Sequence, residues 1–226
     1  MNNSALAAMT AVAMSMASSA AMAEDSDSVV VKVGADAWWI ETEVNEIDRD
    51  KEVTPSVYLS VEHDLKYVPN ARLKTTGVEN DYMAFDKLDL TLYYSLMDHD
   101  LLHFDAGVTL SDLSNTKYKN ADNGQIKDFD GFIWAFYGYA EITVPDTNFD
   151  IIGEMNFGDS SGIKSTDLTA GVQYRMPLKE STITFRGGYR AIDLESDEFK
   201  ATTTSTILGK PFIMADGFFV GAEYSF

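Results

Sequence analysis

In one segment of the chain after another, apolar residues fall at every second position with polar or charged residues between them. Leu88, Leu90, Leu92, Tyr94 and Leu96 alternate with Asp89, Thr91, Tyr93 and Ser95; Leu102, Phe104, Ala106, Val108 and Leu110 oppose His103, Asp105, Thr109 and Ser111. A period of two sends the two sets to opposite faces of an extended strand. A chain built this way must shield one face of every strand and leave no open edge in an apolar medium, and closing the sheet on itself does both.

Ten segments read as strands: 29–40, 53–63, 71–78, 86–96, 102–111, 131–144, 149–157, 167–176, 181–192 and 217–226. The connections sort into two classes. Those at 64–70, 97–100, 145–148 and 177–180 are mostly short and turn-like, with Pro69, Pro145 and Pro177 among them. Those at 41–52, 79–85, 112–130, 158–166 and 193–216 read as longer and polar. With strands alternating in direction, the two classes fall at opposite ends, an asymmetry that transmembrane barrels show. Tyr94, Phe149, Tyr174, Tyr224 and Phe226 group toward one end, and Trp39, Phe132, Trp134, Phe157 and Phe218 toward the other, as two aromatic girdles would. The expected architecture is all-β: a closed, up-and-down antiparallel transmembrane β-barrel of about ten strands, with eight or twelve as alternatives. A soluble β-sandwich or lipocalin-like barrel is the competing reading, and apolar residues at nearly every alternate position weigh against it.

Composition removes other classes. Mean hydropathy is −0.14, and after the first segment no apolar run approaches the length of a membrane-spanning helix. There is no cysteine, hence no disulfide framework or thiolate metal site. A formal charge of −19 excludes nucleic acid as a partner, because the chain has too little positive charge to neutralise phosphates. Residues 1–23 carry no charged side chain and end Ala21-Met22-Ala23, a small-x-small pattern. They read as a secretory signal peptide cleaved before Glu24, although Asn2 and Asn3 stand where Lys or Arg is usual. Residues 24–226 then form a single barrel domain.

The segment Gly217 to Phe226 places Phe218, Val220, Ala222, Tyr224 and Phe226 on one face and Gly217, Phe219, Gly221, Glu223 and Ser225 on the other. It is long enough to cross a bilayer at a tilt and ends on an aromatic residue. The stretch resembles the closing strand of the small bacterial outer-membrane β-barrel proteins, many of which have no assigned activity. The resemblance implies an outer-membrane location with both mature termini in the periplasm. It also implies lipid and lipopolysaccharide as surroundings, and recognition of Phe218, Val220, Gly221, Ala222, Tyr224 and Phe226 by the barrel-assembly machinery.

With lipid outside, the polar face is the interior. The expected lumen network is Lys32, Asp36, Glu62, Arg72, Lys74, Asp89, Asp105, Glu141, Asp150, Glu154, Arg175, Arg186, Arg190 and Glu223, with Tyr58, Tyr93, Tyr137 and Tyr139 as partners. Side chains fill small barrels, and open channels are typical of about 16–18 strands. Gly34, Gly107, Gly171, Gly188 and Gly221 lie on the same face and leave room for a narrow pore. The leading reading is a non-enzymatic structural barrel or narrow porin-like channel for small hydrophilic solutes or cations. The alternatives are an outer-membrane enzyme acting on lipid or peptide, and an adhesin or receptor acting through its outer loops. His63, His99 and His103 all map to one end, away from any serine at catalytic spacing, and no cofactor is expected. The acidic stretches Glu41 to Glu52 and Asp193 to Glu198 read as solvated loops, with weak divalent-cation binding as the second reading.

Overall fold

The computed structural model describes residues 29–44, 47–120, 124–196, 199 and 212–226. In chain order the strands are β1 (Val30–Val44), β2 (Ile47–Glu62), β3 (Asn70–Glu79), β4 (Met83–His99), β5 (Leu102–Lys119), β6 (Ile126–Lys127), β7 (Gly131–Thr143), β8 (Phe149–Ser160), β9 (Ile163–Pro177), β10 (Thr182–Ser196) and β11 (Phe212–Ser225). All but β6, a two-residue strand attached to β5, form one antiparallel ring in sequence order. The ring closes between β1 and β11, with Lys32 opposite Ser225 and Val44 opposite Ile213. Val31 and Phe226 exchange both backbone hydrogen bonds at that seam, at 2.8 and 3.0 Å. The fold is the closed, ten-stranded up-and-down barrel that the alternation implies. The signal peptide expected at 1–23 lies outside the described residues.

The end of the barrel holding Lys32 and Ser225 is the near end. Most strands run farther toward the far end than the alternation suggested, because the pattern changes phase there. Through the wall, outward positions are apolar and exposed, as at Trp39, Leu88, Leu90, Leu92, Phe157, Leu168 and Phe218. Beyond this belt they turn polar: Glu41 and Glu43 follow Trp39, Asp86 precedes Leu88, Asp112 follows Leu110, Asp159 follows Phe157, Asp193 follows Ala191 and Asp216 precedes Phe218. The switch runs as one line, since Glu41 lies opposite Asp216, Asp216 opposite Ala191, Asp193 opposite Thr166 and Thr166 opposite Phe157.

Inward positions switch the other way at the same level. Trp38, Ile40, Val78, Met83, Phe85, Leu113, Tyr118, Ile133, Ile192, Leu194 and Ile213 form a buried apolar core inside the far end, joined by Phe129 and Phe199 from connecting segments. Phe199 stacks on Tyr118 at 4.9 Å and meets Phe129 edge-on at 5.1 Å. A polar interior throughout was therefore wrong for this third of the barrel. Outside the lipid-facing belt, a barrel wall meets water on its outer face and gains by burying its apolar residues inward.

The connections differ from expectation for the same reason. The stretch 41–52 is mostly strand, with Glu41 ion-paired to Lys51 across the β1–β2 hairpin. The β8–β9 connection is the two-residue turn Ser161-Gly162, both with positive φ (55° and 80°), as a tight hairpin turn demands. The β3–β4 connection is three residues. Near-end connections such as 63–69 are no shorter, so the length asymmetry does not hold for these hairpins.

Candidate functional site

Beneath the apolar core lies a layer of buried charge, placed by the inward positions of six strands. Arg190 on β10 grips Asp167 on β9 through Nε (2.9 Å) and Nη2 (2.7 Å), and its guanidinium lies 4.9 Å from the Trp38 ring. Lys87 on β4 reaches Asp89 at 2.5 Å and Asp167 at 3.3 Å. Arg72 on β3 makes a two-pronged contact with Glu154 on β8 at 2.8 and 2.7 Å, and Lys74 stands 3.7 Å from the same carboxylate. Arg186 on β10 holds Asp36 on β1 at 2.8 and 2.5 Å while lying over the Tyr58 ring at 4.6 Å. Taking such ions out of water costs several kcal/mol each, which close pairing with further hydrogen bonds offsets. The fork of arginine matches a carboxylate in plane, and all three of these arginines use it.

Toward the near end the interior opens into a polar cavity of about 490 Å³. Its walls include Tyr58, Glu62, Arg72, Tyr93, Asp105, Tyr137, Tyr139, Glu141, Arg175, Arg186 and Glu223, and Asp98, His99 and Asp100 stand at its mouth. Lys32 pairs with Glu62 at 2.8 Å, Arg175 with Asp150 at 2.6 Å, and His103 Nε2 with Asp105 at 2.8 Å. The tyrosines donate to carboxylates: Tyr58 to Glu223 (2.7 Å), Tyr93 to Glu62 (2.9 Å) and Tyr139 to Glu141 (3.0 Å). Tyr137 instead stacks under Arg72 at 5.1 Å.

All fourteen charged residues assigned to the lumen from sequence lie on the inward face; twelve enter the ion pairs above, and Glu141 and Glu223 accept hydrogen bonds from neutral donors instead. Sequence reasoning missed Lys87 and Asp167, which occupy inward positions at the phase switch. Each stands two residues from an inward position, Lys87 from Asp89 and Asp167 from Thr169, so extending the period of two would have found them. The inward glycines do not open a pore. A Cβ at Gly34 would meet the Tyr58 ring at 2.1 Å, one at Gly107 the Leu92 carbonyl at 2.1 Å, and one at Gly221 the Asp36 carboxylate at 2.0 Å. The space they leave is occupied by neighbouring side chains and backbone. Of the closing-strand residues, Phe218, Val220, Ala222 and Tyr224 face outward, Gly221 faces inward, and Phe226 is tied to Val31.

The histidines serve as ends and turns. His63 and His99 accept backbone N–H bonds from Leu65 (3.2 Å) and Leu101 (3.4 Å), and His103 sits between Asp98 and Asp105. Ser95 donates to Asp105 at 2.7 Å. Among the described residues no group of three or more His, Asp or Glu is placed to hold a metal ion. Glu46, Asp197 and Glu198 of the acidic stretches lie outside the described residues.

No family model matches the chain, and no curated protein matches it. Similar solved structures include neisserial surface protein A (12% identity, TM-score 0.36, 88% of this chain and 98% of that one). The outer membrane protease OmpT from Escherichia coli (9%, 0.37, 90% and 97%) and an outer membrane channel from Pseudomonas putida F1 (12%, 0.39, 87% and 94%) are two others. All three are bacterial outer-membrane β-barrel proteins, and their names differ in what they state: a surface protein, a protease and a channel.

Proposed function

We propose that the protein is an integral β-barrel of the bacterial outer membrane whose bore is closed, a structural barrel without channel or enzyme activity. The observation that carries this reading is the apolar core across the far end of the lumen, built on Trp38, Ile40, Phe85, Leu113, Leu194 and Ile213. Ions crossing this zone would leave water for a predominantly apolar layer, and the paired charges below it occupy the bore at the next level. The membrane assignment rests on the belt of exposed Leu, Val, Phe and Trp side chains around the outer wall, far more than a water-facing surface carries. Aromatic residues at its two edges, Tyr189 with Phe218 at 5.1 Å on one and Phe149 with Tyr174 at 4.9 Å on the other, suit the two lipid–water interfaces. The near end, with the first and last strand ends, then faces the periplasm. The non-enzymatic part is supported by Ser95 donating to a carboxylate rather than to a histidine base.

The test is reconstitution of folded protein into a planar bilayer with KCl on both sides, folding being checked by heat-modifiable gel migration. A silent bilayer is expected. Reproducible unitary current steps would overturn the closed-bore reading.

A further inference from the structure

The near-end cavity is larger than packing requires. Barrels of this size fill their interiors with side chains, yet here about 490 Å³ is left open, a volume within the range of small-molecule sites. Its cations are already committed: Lys32 to Glu62, Arg72 to Glu154, Arg175 to Asp150 and Arg186 to Asp36. Apart from Asp100 at the mouth, two lining carboxylates are not matched in this way. Glu141 accepts from the Tyr139 hydroxyl at 3.0 Å and from Gln173 Nε2 at 2.8 Å; Glu223 accepts from the Tyr58 hydroxyl at 2.7 Å. Neutral donors fix both in place, and neither makes an ion pair among the described residues. They stand on opposing walls, since β7 and β11 are separated by three strands one way round the ring and five the other.

We propose that this cavity binds a linear diamine, one ammonium group pairing with Glu141 and the other with Glu223. The tyrosines that line the cavity suit both an alkyl chain and cation–π contact. Asp98 and Asp100 at the mouth raise the local concentration of cations. An anionic ligand is disfavoured because every lining guanidinium already holds a carboxylate, and a metal ion because no described cluster could ligate one. The inference stands on the cavity alone and survives if the bore proves to conduct.

The experiment is calorimetric titration of the detergent-folded protein with α,ω-diamines of four to ten carbons, and with 1-aminobutane as the single-charge control. One chain length is expected to bind best, at least about tenfold tighter than the monoamine, as one added charge-assisted contact gives. Glu141→Gln and Glu223→Gln, which keep shape and hydrogen bonding, are each expected to bring that diamine down to the affinity of the monoamine. A flat dependence on chain length, no saturable binding, or equal affinity for mono- and diamine would overturn the proposal. The wild-type length series alone decides this if either variant fails to fold.

Discussion

Glu154→Gln is expected to be the most damaging single-atom change in the barrel interior, and Lys74→Met, at its neighbour, among the mildest. The buried layer contains five cations (Arg72, Lys74, Lys87, Arg186 and Arg190) and four carboxylates (Asp36, Asp89, Glu154 and Asp167). Glu154 serves two of the cations, Arg72 at 2.7 Å and Lys74 at 3.7 Å, and among the described residues neither has a second carboxylate; Asp167 also serves two, Arg190 at 2.7 Å and Lys87 at 3.3 Å, but Lys87 keeps Asp89 at 2.5 Å. Gln keeps the shape but removes the charge, leaving five cations against three carboxylates. Breaking one side of a buried pair costs about 3–5 kcal/mol, so Glu154→Gln is assigned that loss. Lys74→Met removes the surplus cation and balances the layer at four and four, so its cost is set near zero, within about 1 kcal/mol either way. The double variant should regain about 1–2 kcal/mol relative to Glu154→Gln. Urea unfolding in phospholipid vesicles, followed by tryptophan emission as Trp39 and Trp134 leave lipid, measures all three. A Glu154→Gln loss below about 1 kcal/mol, or a Lys74→Met loss as large as that of Glu154→Gln, would refute the charge-balance argument.

Glycines on the two faces should respond with opposite sign. Gly107→Ala puts a methyl 2.1 Å from the Leu92 carbonyl and is expected to destabilise by about 1–3 kcal/mol, whereas Gly138→Ala meets nothing within 4 Å and should be neutral or gain up to about 1 kcal/mol in the same urea assay. Brominated lipids should quench Trp39 and Trp134, which are exposed on the belt, and spare the buried Trp38, so Trp38→Phe should leave the quenched fraction of emission the larger and Trp39→Phe the smaller. At the far end, Asp130 accepts from the Thr116 backbone N–H (2.9 Å) and hydroxyl (2.6 Å), which hold its carboxyl below the usual carboxylate range. A depressed pKa means that its ordering of this connection is present above the ordinary aspartate value and is lost as pH falls through the lowered one. The protection of the Thr116 amide against hydrogen exchange, relative to its intrinsic rate at each pH, should fall in acid, and Asp130→Asn should remove that pH dependence.

The ten strands, their order and the inward placement of fourteen charges were legible because outward Leu, Val and Phe mark a lipid-facing strand at every second residue. The far-end third was not, although its period of two is intact. In Ile40-Glu41-Thr42-Glu43 and Ile192-Asp193-Leu194-Glu195 the apolar residues point inward and the carboxylates outward, so a search for lipid-facing alternation sees acidic loops. The same holds for Ile163-Lys164-Ser165-Thr166, read as a loop and found as strand paired to β10. Pairing partners in the lumen were not readable at all, because Arg72 and Glu154 are 82 residues apart and meet only through ring closure.

The phase switch also fixes how deep the molecule rides. Moving down by one outward position is about 7 Å along a strand, or about 5 Å along the membrane normal at the usual tilt. Such a step would carry Glu41, Asp86, Asp112, Asp159, Asp193 and Asp216 into the edge of the hydrocarbon together. A carboxylate near an interface costs less than the roughly 1 kcal/mol that Arg or Lys can cost there, so the six together oppose sinking by about a few kcal/mol at most. Rising by the same step would lift the near-end edge of the belt, Tyr94 and Leu96, toward the hydrocarbon centre and pull Trp39 and Phe218 into water. The row of carboxylates is thus a waterline, and a bilayer of another thickness must bend to meet it.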